Sequence, residues 1–376
     1  MKRTLLIIAA AVICGAVIFA GKKNEEPVLS DTYVLIEAHT KAVLKENNSN
    51  TRRNAGFLSK IMALLLIAED IDSGDLSLTE KLTASQSVSG TKGAVIWLEP
   101  GDSLTVDELL KGVIIGNAND ALTVLAERSA GSIEEFTDRM NARAFDLGLR
   151  DTAFYSPYGY YDEREYTTAY DMAVISAELS EHEVLSPYFS VWRDFVREGK
   201  TELVSENNLT RTYSRHYGFK ACHSDEAGYC ISECGVNDRG NKFVAVVLGA
   251  ENEDISLKTA RTLVDSGFSE YRIAAAFFPD DVMRPVNVRN GEEAAVDIAL
   301  RESSQITVPK GERSLRTVFV LPEYLDAPLK AGQPIGKAAF FSGRNLVFET
   351  DIIVKNDVNK LTYGYILKKI MYKMLE

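Results

Sequence analysis

Cysteine is scarce in this chain, and no paired metal-ligand spacing occurs in it: Cys14 stands alone, and Cys222, His223, Cys230 and Cys234 form only C-H-x6-C-x3-C. That pattern matches none of the usual zinc frameworks, so no metal and no cofactor is expected. Positive charge is also short. Forty-two basic against 54 acidic residues leave a net charge of −12, and the main body has no basic stripe. Without one there is nothing to neutralise a phosphate backbone, which excludes a nucleic-acid partner. There is no internal repeat and no low-complexity tract. The longest apolar run, residues 5–20, is shorter than the roughly 20 residues a membrane span needs.

That run follows Met1-Lys2-Arg3, a positive start before an apolar core, and reads as an export signal over residues 1–21. A cleaved signal is the favoured reading and an uncleaved anchor the alternative. Export would put Cys222, Cys230 and Cys234 outside the reducing cytosol, where three thiols cannot all pair within one chain. A disulfide between Cys222 and Cys230 across a hairpin is one reading, and Cys230 as a small buried strand residue is the other.

At 376 residues the chain can hold two domains. Residues 33–47 alternate around His39-Thr40-Lys41 as a hairpin. Residues 58–71 are densely apolar with Gly74 beyond, a buried helix. Further helices are expected at 105–115, 118–130, 133–147, 170–179 and 257–268, with a strand at 243–248. A linker at 278–281 leads into short β runs at 285–288, 294–300, 304–308, 316–320, 336–341 and 346–354. The tail from 360 to 374 is helical by period, with Tyr363, Ile366, Leu367, Ile370, Met371 and Met374 on one arc and Lys368, Lys369 and Lys373 on the other. Such a basic amphipathic helix fits a membrane surface. A helix docked on its own domain is the competing reading.

Three segments, 55–63, 110–122 and 217–231, carry a resemblance in order and spacing to the serine D-alanyl-D-alanine carboxypeptidases, the low-molecular-weight penicillin-binding proteins. Runs at 97–112, 167–173 and 225–230 extend it over most of residues 30–355. The resemblance implies an α+β fold: a β-lactamase/transpeptidase-like domain (27–275) with a mainly antiparallel sheet covered by helices, a small all-β domain (282–356) and the amphipathic tail (359–376). It also implies a bacterial protein at the extracytoplasmic face of the membrane or in the cell wall, facing peptidoglycan stem peptides or a cell-wall protein.

Members of the family carry S-x-x-K, S-x-N and K-T-G. Here those positions read Phe57…Lys60, Asn117-Ala118-Asn119 and Lys220-Ala221-Cys222. Phe57 has no group that attacks a carbonyl or gives up a proton. Asn117 cannot relay a proton as a hydroxyl does. Ala221 lacks the hydroxyl, and Cys222 puts a side chain where glycine gives clearance. Lys60, Asn119 and Lys220 are retained. A bond between Lys60 and Asn119 is expected, with Lys60 as a solvated cleft-wall residue the alternative, and Asn119 and Lys220 could hold a substrate, the Lys220 ammonium by gripping the substrate's carboxylate.

Ser59 lies about 200° round the helix from position 57 and should face away from the cleft. Ser89-Gly90-Thr91-Lys92 matches S-x-x-K by letters, but its glycines disfavour a helix, and it reads as a cleft-rim loop. The favoured conclusion is a pseudoenzyme with a cell-wall binding or partner role. Two alternatives stay open: an active carboxypeptidase using Cys222 or Ser59, and a redox or metal-responsive module on Cys222, His223 and Cys230.

Overall fold

The computed structural model describes residues 29–275, 284–301, 305–311 and 315–374. The export segment and the linker at 278–281 lie outside the described residues.

A five-stranded antiparallel sheet organises the larger part of the chain. Its strands are β1 (Tyr33–Glu37), β2 (Val43–Asn47), β3 (His216–Ser224), β4 (Gly228–Val236) and β5 (Lys242–Ala250), in the order β2-β1-β5-β4-β3. Side chains alternate across a strand, so β5 feeds two cores at once. Val244, Val246 and Leu248 join the helical core on one face, and Phe243, Ala245 and Val247 pack on the other beneath the helix Glu253–Glu270. Coverage on both faces is why β5 reads as an unbroken apolar run. The hairpin β1–β2 turns at the expected residues, with Tyr33 opposite Asn47.

Helix α1 (Lys60–Asp72) runs through the larger core with Ile61 to Ala68 all buried. A helix apolar all round has no solvent face to offer. Around it lie α2 (Val106–Ile114), α3 (Asn119–Ala130), α4 (Ile133–Asp146) and α5 (Ala169–Glu181). The helix anticipated at 257–268 starts earlier, at Glu253, because Asn252 caps it by accepting from Ile255 N at 2.9 Å. Its polar first turn hid that start.

From residue 284 on, the strands build a smaller β unit with its own cores around Phe340 and Val354. The run expected at 294–300 splits: Ala295–Val296 and Ile298–Leu300 belong to different sheets. Tyr324–Asp326, which has no alternating pattern, pairs parallel to Val286–Arg289. The tail helix Tyr363–Lys373 is capped by Thr362. Its residues Ile366, Leu367, Ile370 and Met371 are exposed, while Tyr365 Oη donates to the Glu292 carbonyl of the β unit at 3.4 Å. Among the described residues no helix is long and apolar enough to cross a membrane.

At the start of α2, the Thr105 hydroxyl accepts from Glu108 N at 3.2 Å while the Glu108 carboxylate accepts from Thr105 N at 3.1 Å. This reciprocal pair satisfies two otherwise free amides. Thr105→Ala is therefore expected to cost about 1 kcal/mol, read as a lowered urea midpoint with an unchanged slope. An unchanged midpoint would mean water replaces the cap.

Candidate functional site

The first turn of α1 is set by two glycines. Gly56 has a left-handed φ of +52°, and a Cβ on Gly159 would lie 2.1 Å from the Gly56 carbonyl oxygen. Only glycine allows that approach. It lets the loop 155–161 lie directly over Gly56 and Phe57. Lys60, wholly buried, donates from Nζ to the Tyr158 carbonyl at 3.3 Å and sits 4.6 Å from the centre of the Phe57 ring. A cation at that distance is held by the ring's negative face. Burial, then the neighbouring Lys220 charge, pulls the Lys60 amine down to about 7.

Lys60 therefore does not bond Asn119, and it is not a solvated wall residue; both expectations are corrected. Asn119 Nδ2 instead donates to the Lys92 carbonyl at 2.7 Å and to Tyr160 Oη at 2.9 Å, and Tyr160 Oη itself bonds Lys92 O. Two loops thus meet on one amide. The rim position read for residues 89–92 is where the loop lies, and its glycines bend it there: Gly93 (φ +78°) stands against Asn119 Nδ2.

Asn117 takes a left-handed φ of +56° in the tight turn between α2 and α3, a conformation asparagine tolerates. Its Nδ2 donates to Glu206 Oε2 at 3.3 Å, while the Oδ1 atoms of Asn117 and Asn119 are buried without a partner. Lys220 donates to the carbonyls of Val113 and Ile114 at 3.0 and 3.3 Å. Those are last-turn carbonyls of α2, where a cation suits the helix dipole. Burial pulls Lys220 down to about 8. Its ammonium serves the helix end. The space between Asn117, Glu206 and Lys220 is about 10 Å³, room for one water.

On the edge strand Ala221 turns to the helix Glu253–Glu270 side, and Cys222 turns toward α1 with Sγ 3.7 Å from the Ala55 carbonyl oxygen. Cys222 and Cys230 are direct cross-strand partners, yet both thiols are free and buried, which is the reading of Cys230 as a small buried strand residue and not the disulfide alternative. Contact with Cys230 and burial push the Cys222 thiol up, which keeps it protonated and a poor nucleophile. Ser59 is buried too. Its hydroxyl donates to Glu165 Oε1 at 2.7 Å and to the Gly56 carbonyl, and burial raises the Glu165 carboxyl to about 7. His223 stacks on Tyr229 with ring centres 4.2 Å apart, one pleat away from Cys222 and so on the opposite face. Among the described residues no three His, Cys, Asp or Glu side chains are grouped to hold a metal.

Spacing alone did not flag Glu206, Tyr158 or Tyr160. The tyrosine-dense stretch 155–161 around Gly159 was the one visible signal.

Residues 20–252 match the D-alanyl-D-alanine carboxypeptidase family, and residues 275–360 match the C-terminal domain of penicillin-binding protein 5. The chain belongs to the D-alanyl-D-alanine carboxypeptidase family. It is 32% identical over 344 residues to D-alanyl-D-alanine carboxypeptidase DacF of Bacillus subtilis, covering 90% of this chain and 88% of that one. It is 28% identical to DacC of Escherichia coli, over 94% of this chain and 91% of the relative. Penicillin-binding protein 5 of Haemophilus influenzae superposes with a TM-score of 0.82 at 25% identity, over 89% of this chain and 98% of that structure. In this family member, the sheet flanked by helices is the transpeptidase fold, and the smaller β unit is the family's C-terminal domain.

The Lys60 amine falls from 10.5 unfolded to about 7 folded. Between those values the unfolded chain binds more protons, so stability rises with pH from 7 toward 10.5. Below pH 7 the charge-burial penalty is complete. Lys60→Met removes it, and its stability gain over wild type should be a few kcal/mol larger at pH 7 than at pH 10, measured by urea unfolding. A difference independent of pH would show that the amine is not held down by burial.

Proposed function

We propose that this chain is a catalytically inactive, exported member of its family, which keeps the carboxypeptidase scaffold for binding peptidoglycan stem peptides or a cell-wall protein at the extracytoplasmic face of the membrane. The observation that carries this is the Phe57 ring over the buried Lys60 amine, where the serine mechanism needs a hydroxyl within a hydrogen bond of that amine. Loss of the nucleophile alone costs on the order of a million-fold in a serine hydrolase of another fold. The retained amine is held by a carbonyl and a ring. Ser59 is engaged by Glu165, and Cys222 is a buried, protonated thiol, so neither supports the reading of an unorthodox nucleophile. The division into a signal or anchor (1–21), a catalytic-type domain (27–275), a β domain (282–356) and a tail (359–376) belongs to the same proposal.

The full-length protein, incubated with a peptide ending in D-alanyl-D-alanine, should release no D-alanine above a blank. Turnover that disappears on Cys222→Ser would overturn the reading in favour of a thiol nucleophile.

The tail supplies surface attachment in this proposal. Its exposed Ile366, Leu367, Ile370 and Met371 lie on an arc opposite Lys368 and Lys369, a shape that sits in the headgroup region of a bilayer. In protein lacking residues 1–21, deleting residues 359–376 should abolish co-sedimentation with anionic liposomes. Equal sedimentation with and without the tail would remove the idea.

A further inference from the structure

We propose that the cavity between the first turn of the helix Glu253–Glu270 and the β3–β4 hairpin takes the ammonium end of a basic peptide side chain, a primary amine on a short alkyl stem. This rests on the stem-peptide reading above and names the class of side chain such a peptide would carry. The cavity measures about 400 Å³. One water needs about 10 to 15 Å³ on that measure, so a side chain fits. Three elements build the walls. Ala221 and His223 alternate onto one face of the edge strand β3, and His223 stacks at 4.2 Å on Tyr229, its cross-strand partner on β4. Glu253, Ser256 and Leu257 stand three and four residues apart on one face of the helix. Glu206 closes the third side.

The lining selects the sign of the ligand. Two carboxylates face the cavity and no lysine or arginine does. Glu253 Oε1 accepts from Asn208 Nδ2 at 2.5 Å and Glu206 Oε2 from Asn117 Nδ2 at 3.3 Å, which leaves the second oxygen of each without a partner among the described residues. Ser256 lines the same cavity at 3% exposure, and its hydroxyl also has no hydrogen-bond partner among the described residues. A buried hydroxyl left unpaired is costly, and a donor on a ligand satisfies it. An ammonium brings three N–H donors and no acceptor, the complement of these carboxylate and hydroxyl oxygens. The alkyl stem behind it lies against Leu257, Ala221 and the Tyr229 ring. An anionic ligand would instead meet two like charges. The positive end of the helix does not reverse this, because Asn252 caps it and Glu253 and Asp254 occupy its first turn. Glu206 also attracts the buried Lys60 and Lys220 amines, so Glu253 carries the larger share of the recognition.

The test uses the full-length protein, carbon-13 labelled at histidine Cε1, and Nα-acetyl-L-lysine methylamide as the probe. Of the four histidines in the chain only His223 lines this cavity, and its resonance is assigned by its loss in His223→Gln. That resonance should move saturably with the lysine probe and stay in place with the norleucine analogue, which has the same stem and no ammonium. In Glu253→Gln, which keeps an acceptor for Asn208 and removes the charge, the probe should bind about tenfold or more weaker. No saturable movement of the His223 resonance, equal affinity for the norleucine analogue, or unchanged affinity in Glu253→Gln would each overturn the proposal. Free 1,5-diaminopentane separates the sources of the amine: tighter binding of it than of the lysine probe would overturn a peptide side chain as the occupant. D-alanine release from Nα-acetyl-L-lysyl-D-alanyl-D-alanine on the same samples separates the two readings: release with a lysine-dependent shift sinks inactivity alone, and no release without that shift sinks the cavity reading alone.

Discussion

Everything at the site follows from keeping one ammonium out of water. A lone buried cation is costly unless something compensates it. For Lys60 the compensation comes from the Tyr158 carbonyl and the Phe57 face, and both depend on glycine: Gly56 to start the turn and Gly159 to let the loop press on it. Its pull down to about 7 measures how incomplete that compensation is. An amine half neutral near physiological pH is what a general base needs. Here the group beside it is an aromatic ring with no proton to take.

The other retained polar residues have structural partners of the same kind. Lys220 answers the carbonyl end of α2, and Asn119 stitches two loops together. Glu206 reaches Asn117 and leaves space for little more than a water molecule. A site arranged in this way stabilises its own walls. Two unpartnered amide oxygens, on Asn117 and Asn119, remain as the unsatisfied part of the arrangement.

Much of this was legible in the sequence, for reasons that differ by element. The helix α1 and the strand β5 were plain because dense apolar runs admit few other readings, and the β1–β2 turn because alternation brackets it. The split at Ala295–Val296 and Ile298–Leu300 was hidden because one residue, Asp297, separates strands of two sheets, which composition does not record. Motif spacing located Lys60, Asn119 and Lys220 but paired Lys60 with Asn119 and missed the partners each holds in the fold. Hydrogen-bond partners such as the carbonyls of Tyr158, Lys92 and Val113 are backbone atoms, and any residue type can supply them. The identity of the side chain at position 57 was readable directly; the loop laid over it was not.

The central claim, that position 57 offers no covalent chemistry, is tested most directly by intact mass after exposure to a penicillin, whose ring carbonyl is an acylating trap for a serine in this family. The account predicts no mass increase for the wild-type protein. It also predicts little for Phe57→Ser alone, since Asn117, Ala221 and Cys222 still withhold the hydroxyls and the glycine clearance. Stoichiometric acylation of the unmodified protein would contradict it.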